Sequence, residues 1–418
     1  MKHRFFAQVC AYCEQADDIG AADTGVTRRH ALDQLARGGL AALLAGGALS
    51  PISARAADND TVRIGYLPIT DAATLLVAHA KGYFEEAGLK VEPPTLIRSW
   101  SGLVEGFVAG KFNVVHLLKP VPVWMRYNNR FPVKILAWGH TNGSGLVVGG
   151  DSGITKFSDL KGRRIAVPYW YSIHNIVLQY ALRESGVKPV IKPAMAQLGA
   201  NECALQILAP PDMPIALAAR KIDGYIVAEP FNALGELKVN ARMLRFTGDI
   251  WKNHPCCVIC TQEQNVKERP EWTQKLVDAI VRAHIYSSQN KAEIARLISR
   301  DGKGYLPTPP AAVEKAVTDY GAHYEASGAI HHRDWHNGRI DFQPWPYPSA
   351  TKFIVSAMNE TLVEGDTTFL HGLDPSFVAD DLVDYRFVKS ALGRYSDWKS
   401  DPSVDPALPF DRREIIAL

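Results

Sequence analysis

"TVRIGYLPITDAATLLVAHAKGYFEEAGLKVEPPTL", residues 61–96, sets the fold class. Val62, Ile64 and Tyr66 alternate as a strand does, and Leu67-Pro68 ends it. Asp71 is expected to N-cap a helix that carries Leu75, Leu76, His79 and Phe84 and closes at Gly88. A second strand then opens at Leu89–Glu92, and "SGLVEGFVAGKFNVVHLLKP" (101–120) repeats helix and strand. Alternation of this kind predicts an α/β sheet with parallel neighbours.

A second run begins at "SGLVVGG" (144–150). It continues through a strand in "SDLKGRRIAVP" (158–168), an amphipathic helix in "HNIVLQYALRESG" (174–186) and a strand in "KIDGYIVAEP" (221–230). The chain returns with the apolar run "CCVIC" (256–260) and a long helix over 269–290, with Pro270 at its start, where a missing N–H costs nothing. Leaving one run and coming back to it predicts two lobes, with a ligand cleft where strand ends and helix N-termini meet. The expected divisions are 57–145 and 256–340 for lobe one, 146–255 for lobe two, and a Pro- and Asp-rich wrapping segment over 341–418.

The chain has 418 residues, 46 basic and 44 acidic, a formal charge of +2 and 47% hydrophobic residues. That is enough apolar material for two cores, with no global reason to expect nucleic acid as a partner. "TRRHALDQLARGGLAALLAGGALSPISARAADND" (27–60) pairs Arg28 and Arg29 with a Gly/Ala-rich apolar run and Ala54-Arg55-Ala56. This order reads as a twin-arginine export leader over residues 1–56, removed before Ala57, so a periplasmic location is expected. Four cysteines then remain: Cys203, Cys256, Cys257 and Cys260.

"IGYLPITDAATLLVAHAKGYFEEAGLKVE", "DLKGRRIAVP", "KIDGYIVAEPFNA" and "GDIWKNHP" together resemble the solute-binding proteins of nitrate, bicarbonate and sulfonate ABC importers, the NMT1-like family. The resemblance runs from about residue 60 to 290, and more loosely to about 360. It implies a two-lobed periplasmic binding protein of type II fold with hinged lobes. It also implies a permease and an ATPase as partners, a monomer, no cofactor or metal, and no catalytic residue. Carried over position by position, the family's anion pocket falls on Trp100 in "IRSWSG", Ser144 in "TNGSG" where relatives have glutamine, His174 in "YWYSIHN" and Glu229 before Pro230. A family lysine falls on Cys257, a mostly neutral thiol, and Lys119 in "HLLKP" is expected to replace its charge from the opposite lobe. Tyr169 and Trp170 are expected to wall the cleft, suiting a flat or partly apolar solute.

"HPCCVIC" (254–260) reads first as a buried strand, with a soft-metal or redox site as the alternative. Cys256, Val258 and Cys260 would share one strand face, separating Cys256 from Cys257. "AIHHRDWHN" (329–337) reads as a solvated loop rather than a metal site. Two rivals to a binding protein stand beside it. One is an enzyme like the synthase of the thiamine pyrimidine, using cysteines and histidines with iron; the other is a solute sensor without a transporter.

Overall fold

The first strand, β1 (Ile64–Tyr66), is buried throughout, and Gly65 lets the Phe112 ring cross it: a Cβ there would lie 2.5 Å from that ring. This is a computed structural model describing residues 60–418 apart from 397, 399–403 and 406; the expected leader over 1–56 lies outside the described residues. After β1 a 3₁₀ turn (Thr70–Ala72) leads into α1 (Ala73–Ala80), which is buried over most of its length. The single helix expected to reach Phe84 is broken, because Gly82 takes φ 71° and starts a separate short turn, Tyr83–Glu86.

Next come β2 (Thr95–Leu96), α2 (Trp100–Val108), β3 (Val114–Leu118) and β4 (Val133–Trp138). The chain then leaves for β5 (Ser144–Gly149), β6 (Arg164–Val167), α3 (Ile173–Glu184), β7 (Lys188–Val190) and β8 (Glu202–Ile207). After these follow β9 (Gly224–Ala228), α4 (Phe231–Lys238) and β10 (Ala241–Phe246), before the chain returns as β11 (Cys257–Gln262).

The five-stranded sheet runs in the order β2-β1-β3-β11-β4, and the six-stranded sheet in the order β7-β8-β6-β9-β5-β10. The expectation of parallel neighbours holds for β2-β1-β3 and for β7-β8-β6-β9. It fails at β11, antiparallel to β3 and β4, and at β5, antiparallel to β9 and β10. The reason lies in the path of the chain. Each of these strands is the first laid down after a crossing between sheets, so it starts at the junction and runs outward. The parallel strands run inward and end there. The junction therefore collects C-terminal strand ends together with the N-terminal ends of β5 and β11, the edge where open α/β sheets gather ligands.

The long helix α5 (Pro270–Gln289) turns Leu276, Val277, Ile280, Val281 and His284 inward, and Pro270 occupies its first turn as expected. His284 Nε2 lies 2.8 Å from the Trp138 carbonyl oxygen at the end of β4, which fixes the helix against the first sheet. Beyond residue 340 the chain forms α6 (Pro348–Glu360) and α7 (Pro375–Leu382), each with a buried apolar side. α7 is docked through Asp381, whose carboxylate accepts from Arg126 Nε at 2.6 Å, Arg126 Nη2 at 2.7 Å and Tyr127 Oη at 2.7 Å. No helix of the described residues is long and apolar enough to cross a membrane.

The Arg126 fork holds the Asp381 carboxyl down to about 2, against burial. A depressed carboxylate stabilises the fold above its unfolded value near 3.8, and that contribution disappears as pH falls towards 2. The pair is partly exposed, so Asp381→Asn is expected to cost about 1–2 kcal/mol at pH 7. Urea unfolding of the two proteins at pH 7 and pH 3 checks it: the gap should narrow at the lower pH.

Candidate functional site

Three segments that cross between the sheets pair with one another at the junction. Thr141 bridges Pro255, Asn142 N donates to the His254 carbonyl oxygen at 3.0 Å, and Ile340–Asp341 pairs antiparallel with Thr141–Asn142. Thr70, just after β1, donates from N and Oγ1 to the Glu229 carbonyl oxygen at 2.8 and 3.1 Å, tying the end of β9 in the second sheet to the first.

Cys256 lies one residue ahead of β11, so strand alternation does not separate it from Cys257. One donor atom each from Asp71, His140, Cys256 and Cys257 lie within 4.8 Å of one another, and all four residues are buried. Asp71 comes from the turn before α1, His140 from the first crossing and the cysteines from the second. Asp71 is no N-cap: α1 starts after Ala72 without a side-chain cap, and the carboxylate faces His140 and Cys257 instead. Its Oδ2 is 2.9 Å from His140 Nε2 and accepts from Cys257 Sγ at 3.1 Å. The His140 contact is an ion pair outside hydrogen-bond geometry, which leaves both His140 nitrogens and Asp71 Oδ1 without a hydrogen-bond partner.

From the second sheet, Ser144 at the start of β5 and His174 in the first turn of α3 close over Cys256. Ser144 Oγ is 2.9 Å from His174 Nε2 and 3.7 Å from Cys256 Sγ, and that sulfur is 3.9 Å from His174 Nε2. Ser172 caps α3 by accepting from Asn175 N at 3.1 Å, which sets the first-turn direction of His174. His174 Nδ1 is buried and unpartnered.

The electrostatics follow from burial and pairing. Burial raises Asp71 to about 6, against the pull of His140. Burial also opposes charge on His140, but Asp71 and the Cys256 sulfur outweigh it and raise the imidazole to about 10. Although burial favours the thiol, the Cys257, His174 and His140 side chains around the sulfur hold Cys256 well below the usual thiol range, which favours the thiolate. Cys257 is pushed up by burial and its charged neighbours and keeps its proton, donated to Asp71. Burial drives two further histidines down to about 3 and leaves them neutral: His116, whose Nε2 accepts from Leu67 N at 2.9 Å, and His254, 2.7 Å from Thr247 Oγ1.

Of the residues expected to contact solute, the structure thus brings Ser144, His174 and Cys257 together. Trp100 packs instead on His116, its ring 5.4 Å from that imidazole and its Nε1 buried without a partner. Two others are held elsewhere. Lys119 donates from Nζ to Thr351 Oγ1 on α6 at 2.8 Å. Glu229 accepts on Oε1 from Arg339 Nε at 2.8 Å and Nη2 at 2.5 Å, and on Oε2 from Ala233 N at 3.1 Å, so its carboxylate is fully used. Trp170 lines a separate recess of about 180 Å³, solvent at its mouth included, with Tyr171, Pro120 and Met358. Half-buried Tyr169 accepts on its carbonyl oxygen from Ser172 Oγ at 2.7 Å, helping to shape the start of α3. In the 329–337 loop, His331 and His332 donate backbone N–H groups to Asp249 at 2.8 and 2.7 Å.

Sequence reasoning missed Asp71, His140, His116 and Cys256 at the junction. The signal available was position for three of them, Asp71 in the turn beyond β1 and His140 and Cys256 in crossings, whereas His116 sits in the middle of β3.

Two mixed sheets meeting at a buried polar junction form the two-lobed, type II α/β fold of periplasmic binding proteins. The structure aligns with the periplasmic nitrate-binding protein NrtA from Synechocystis PCC 6803 at a TM-score of 0.66, covering 85% of this chain and 91% of that one at 18% identity. Residues 55–299 match the model of the NMT1-like family, and the chain belongs to that family. It is 26% identical over 297 residues to the nitrate/nitrite binding protein NrtA of Nostoc sp. (strain PCC 7120 / SAG 25.82 / UTEX 2576), covering 65% of each chain. It is 27% identical over 267 residues to the bicarbonate transport ATP-binding protein CmpC of Synechocystis sp. (strain ATCC 27184 / PCC 6803 / Kazusa), 59% of this chain and 38% of that one. The chain thus spans about two thirds of the first relative's length and well under half of the second's.

Lys119 gives a direct test of what is site and what is scaffold. Burial pulls its ammonium down from 10.5 to about 7, so the folded state disfavours the charge that the unfolded chain keeps up to pH 10.5. Stability should rise between pH 7 and 10.5 in the wild type and stay flatter in Lys119→Met. The variant is expected to be more stable at pH 7 by on the order of 2 kcal/mol after loss of the Thr351 bond. Thermal unfolding across that pH range reads both.

Proposed function

We propose that this chain is the solute-binding component of an ABC importer, exported to the periplasm through the twin-arginine leader. In this reading it works as a monomer that delivers a captured solute to a membrane permease powered by an ATPase, and it performs no chemistry on the solute. The expected lobe divisions near residues 145 and 255 belong to the same proposal. The observation that carries it is the junction, where buried polar groups from both sheets meet at strand ends and several remain unpartnered: His174 Nδ1, His140 Nδ1 and Asp71 Oδ1. Buried polar atoms in folded proteins nearly always find partners, so a concentration of exceptions marks a binding place.

Hinged closure supplies the mechanism. A solute that touches both lobes only when they meet shifts the open–closed equilibrium by its differential affinity, and a near-complete shift needs about 5 kcal/mol. Ser144 and His174 would supply the second lobe's contacts, directly or through the Cys256 sulfur they approach, while Asp71, His140, Cys256 and Cys257 supply the first lobe's and the crossings'. The nitrate and bicarbonate in the relatives' names do not suit this set. A buried oxyanion needs cations or free N–H donors. Here His140 is paired with Asp71, Arg339 with Glu229, and Lys119 is engaged by Thr351.

Two measurements test the reading. Deleting the gene should abolish uptake of one small solute, and His174→Ala should fail to restore it. X-ray scattering of the purified protein should show the radius of gyration shrinking when that solute is added. Conversion of the solute to a product by the purified chain would overturn the proposal. Nitrate and bicarbonate at millimolar concentration are expected to leave the melting temperature unchanged at pH 7.

A further inference from the structure

We infer that the ligand taken at the junction is a single soft divalent transition-metal cation of the zinc class, held by Asp71, His140, Cys256 and Cys257. The inference rests on reading the junction as the solute site.

The donor set comes first. Two thiols, one imidazole and one carboxylate match the ligand chemistry of zinc and its neighbours, whereas calcium and magnesium take oxygen. Spacing comes next. In a tetrahedral centre with bonds of about 2.0–2.3 Å, donor atoms stand roughly 3.2–3.8 Å apart. Here the four donor atoms lie within 4.8 Å of one another, with Asp71 Oδ2 at 2.9 Å from His140 Nε2 and 3.1 Å from Cys257 Sγ. The quartet is thus near the spacing of one tetrahedral centre.

The unpartnered atoms are the independent observation. Asp71 Oδ1 and both nitrogens of His140 lack hydrogen-bond partners in a fully buried setting, and a cation would engage the imidazole and the carboxylate at once. Cysteines bind a metal as thiolates and histidine through an unprotonated nitrogen, so any protons on these donors leave as the cation enters. No oxidant or reductant is involved.

The second lobe does not supply a ligand to the quartet. Ser144 and His174 instead approach the Cys256 sulfur at 3.7 and 3.9 Å, in position to hydrogen-bond a metal-bound thiolate. Lobe one thus captures the cation, and lobe two recognises that it is there. All four positions are taken by protein, which suits capture rather than a catalytic centre with an open position.

The test uses the purified full chain, reduced with a phosphine, with Co²⁺ as the probe. Expected are one equivalent bound, near-ultraviolet thiolate-to-cobalt charge-transfer absorption and the visible bands of tetrahedral cobalt, all displaced by Zn²⁺. Asp71→Asn and Cys257→Ser should each weaken binding at least about tenfold, and His332→Ala in the 329–337 loop should not. Circular dichroism confirms folding; if a cysteine variant fails to fold, His140→Gln replaces it. Reduced, folded wild type that binds no cobalt would overturn the inference, as would a Cys256→Ser/Cys257→Ser protein that retains the charge-transfer band. The cobalt spectrum does not depend on any permease, so its failure is separable from failure of the importer reading, which the uptake and scattering measurements decide.

Discussion

The pairing of the crossing segments is the constraint on which the rest depends. Residues 141–142 and 254–255 run antiparallel where the chain passes between sheets, and Ile340–Asp341, a third crossing segment, joins from the other side. Because these segments bond to each other, β5 and β11 must begin side by side and run outward. The parallel strands β1, β3, β6 and β9 end at the same plane. The junction therefore holds a dense set of side chains from many parts of the sequence without any of them being neighbours in it, the two cysteines excepted. Gly139 shows how tight the meeting is. A Cβ there would lie 3.2 Å from the Asp71 carbonyl oxygen and 3.4 Å from that of Cys257.

Burial at this plane forces a choice for every ionisable group. Glu229 and Arg339 resolve it as a buried ion pair, joined by Glu236 3.1 Å from Arg339 Nη2. Lys119 resolves it by a pKa near 7 and a hydroxyl partner. His116 and His254 stay neutral. Asp71, His140 and Cys256 are the exceptions that keep charge, and they keep it by facing one another. Retaining opposed charges in a dry place costs several kcal/mol of desolvation, which well-packed apolar residues would avoid. A set that bears this cost with polar atoms still unpartnered has a purpose other than stability.

Much of the fold was legible in the sequence because strands and helices announce themselves by period. The β1–α1 opening, the return at β11 and Pro270 at the head of α5 could all be read locally. What the sequence hid was direction. Whether a returning strand lies parallel or antiparallel depends on where the crossing ends, and no local period encodes that. The site was legible in part for a similar reason. Ser144 and His174 came through resemblance, yet Asp71 looked like an N-cap because aspartate before a helix usually is one. His140 carried no local signal. Cys256 was assigned to a strand face by an alternation that begins one residue later.

That single residue of offset decides the character of the junction. Were Cys256 inside β11, its sulfur and that of Cys257 would point to opposite faces of the sheet, and only one could meet Asp71. Just outside the strand, the backbone is freed from the pleat. Lys119 N donates to the Cys256 carbonyl oxygen at 2.9 Å and Gly139 N to that of Cys257 at 2.8 Å, holding both peptides in place. Both sulfurs can then turn to the same side. The thiolate of Cys256 touches Ser144 and His174 of the second lobe, while the thiol of Cys257 touches Asp71 of the first. A dipeptide bonded to both lobes by its side chains and anchored by its backbone couples them directly: whatever binds these sulfurs alters contacts on both sides of the hinge at once.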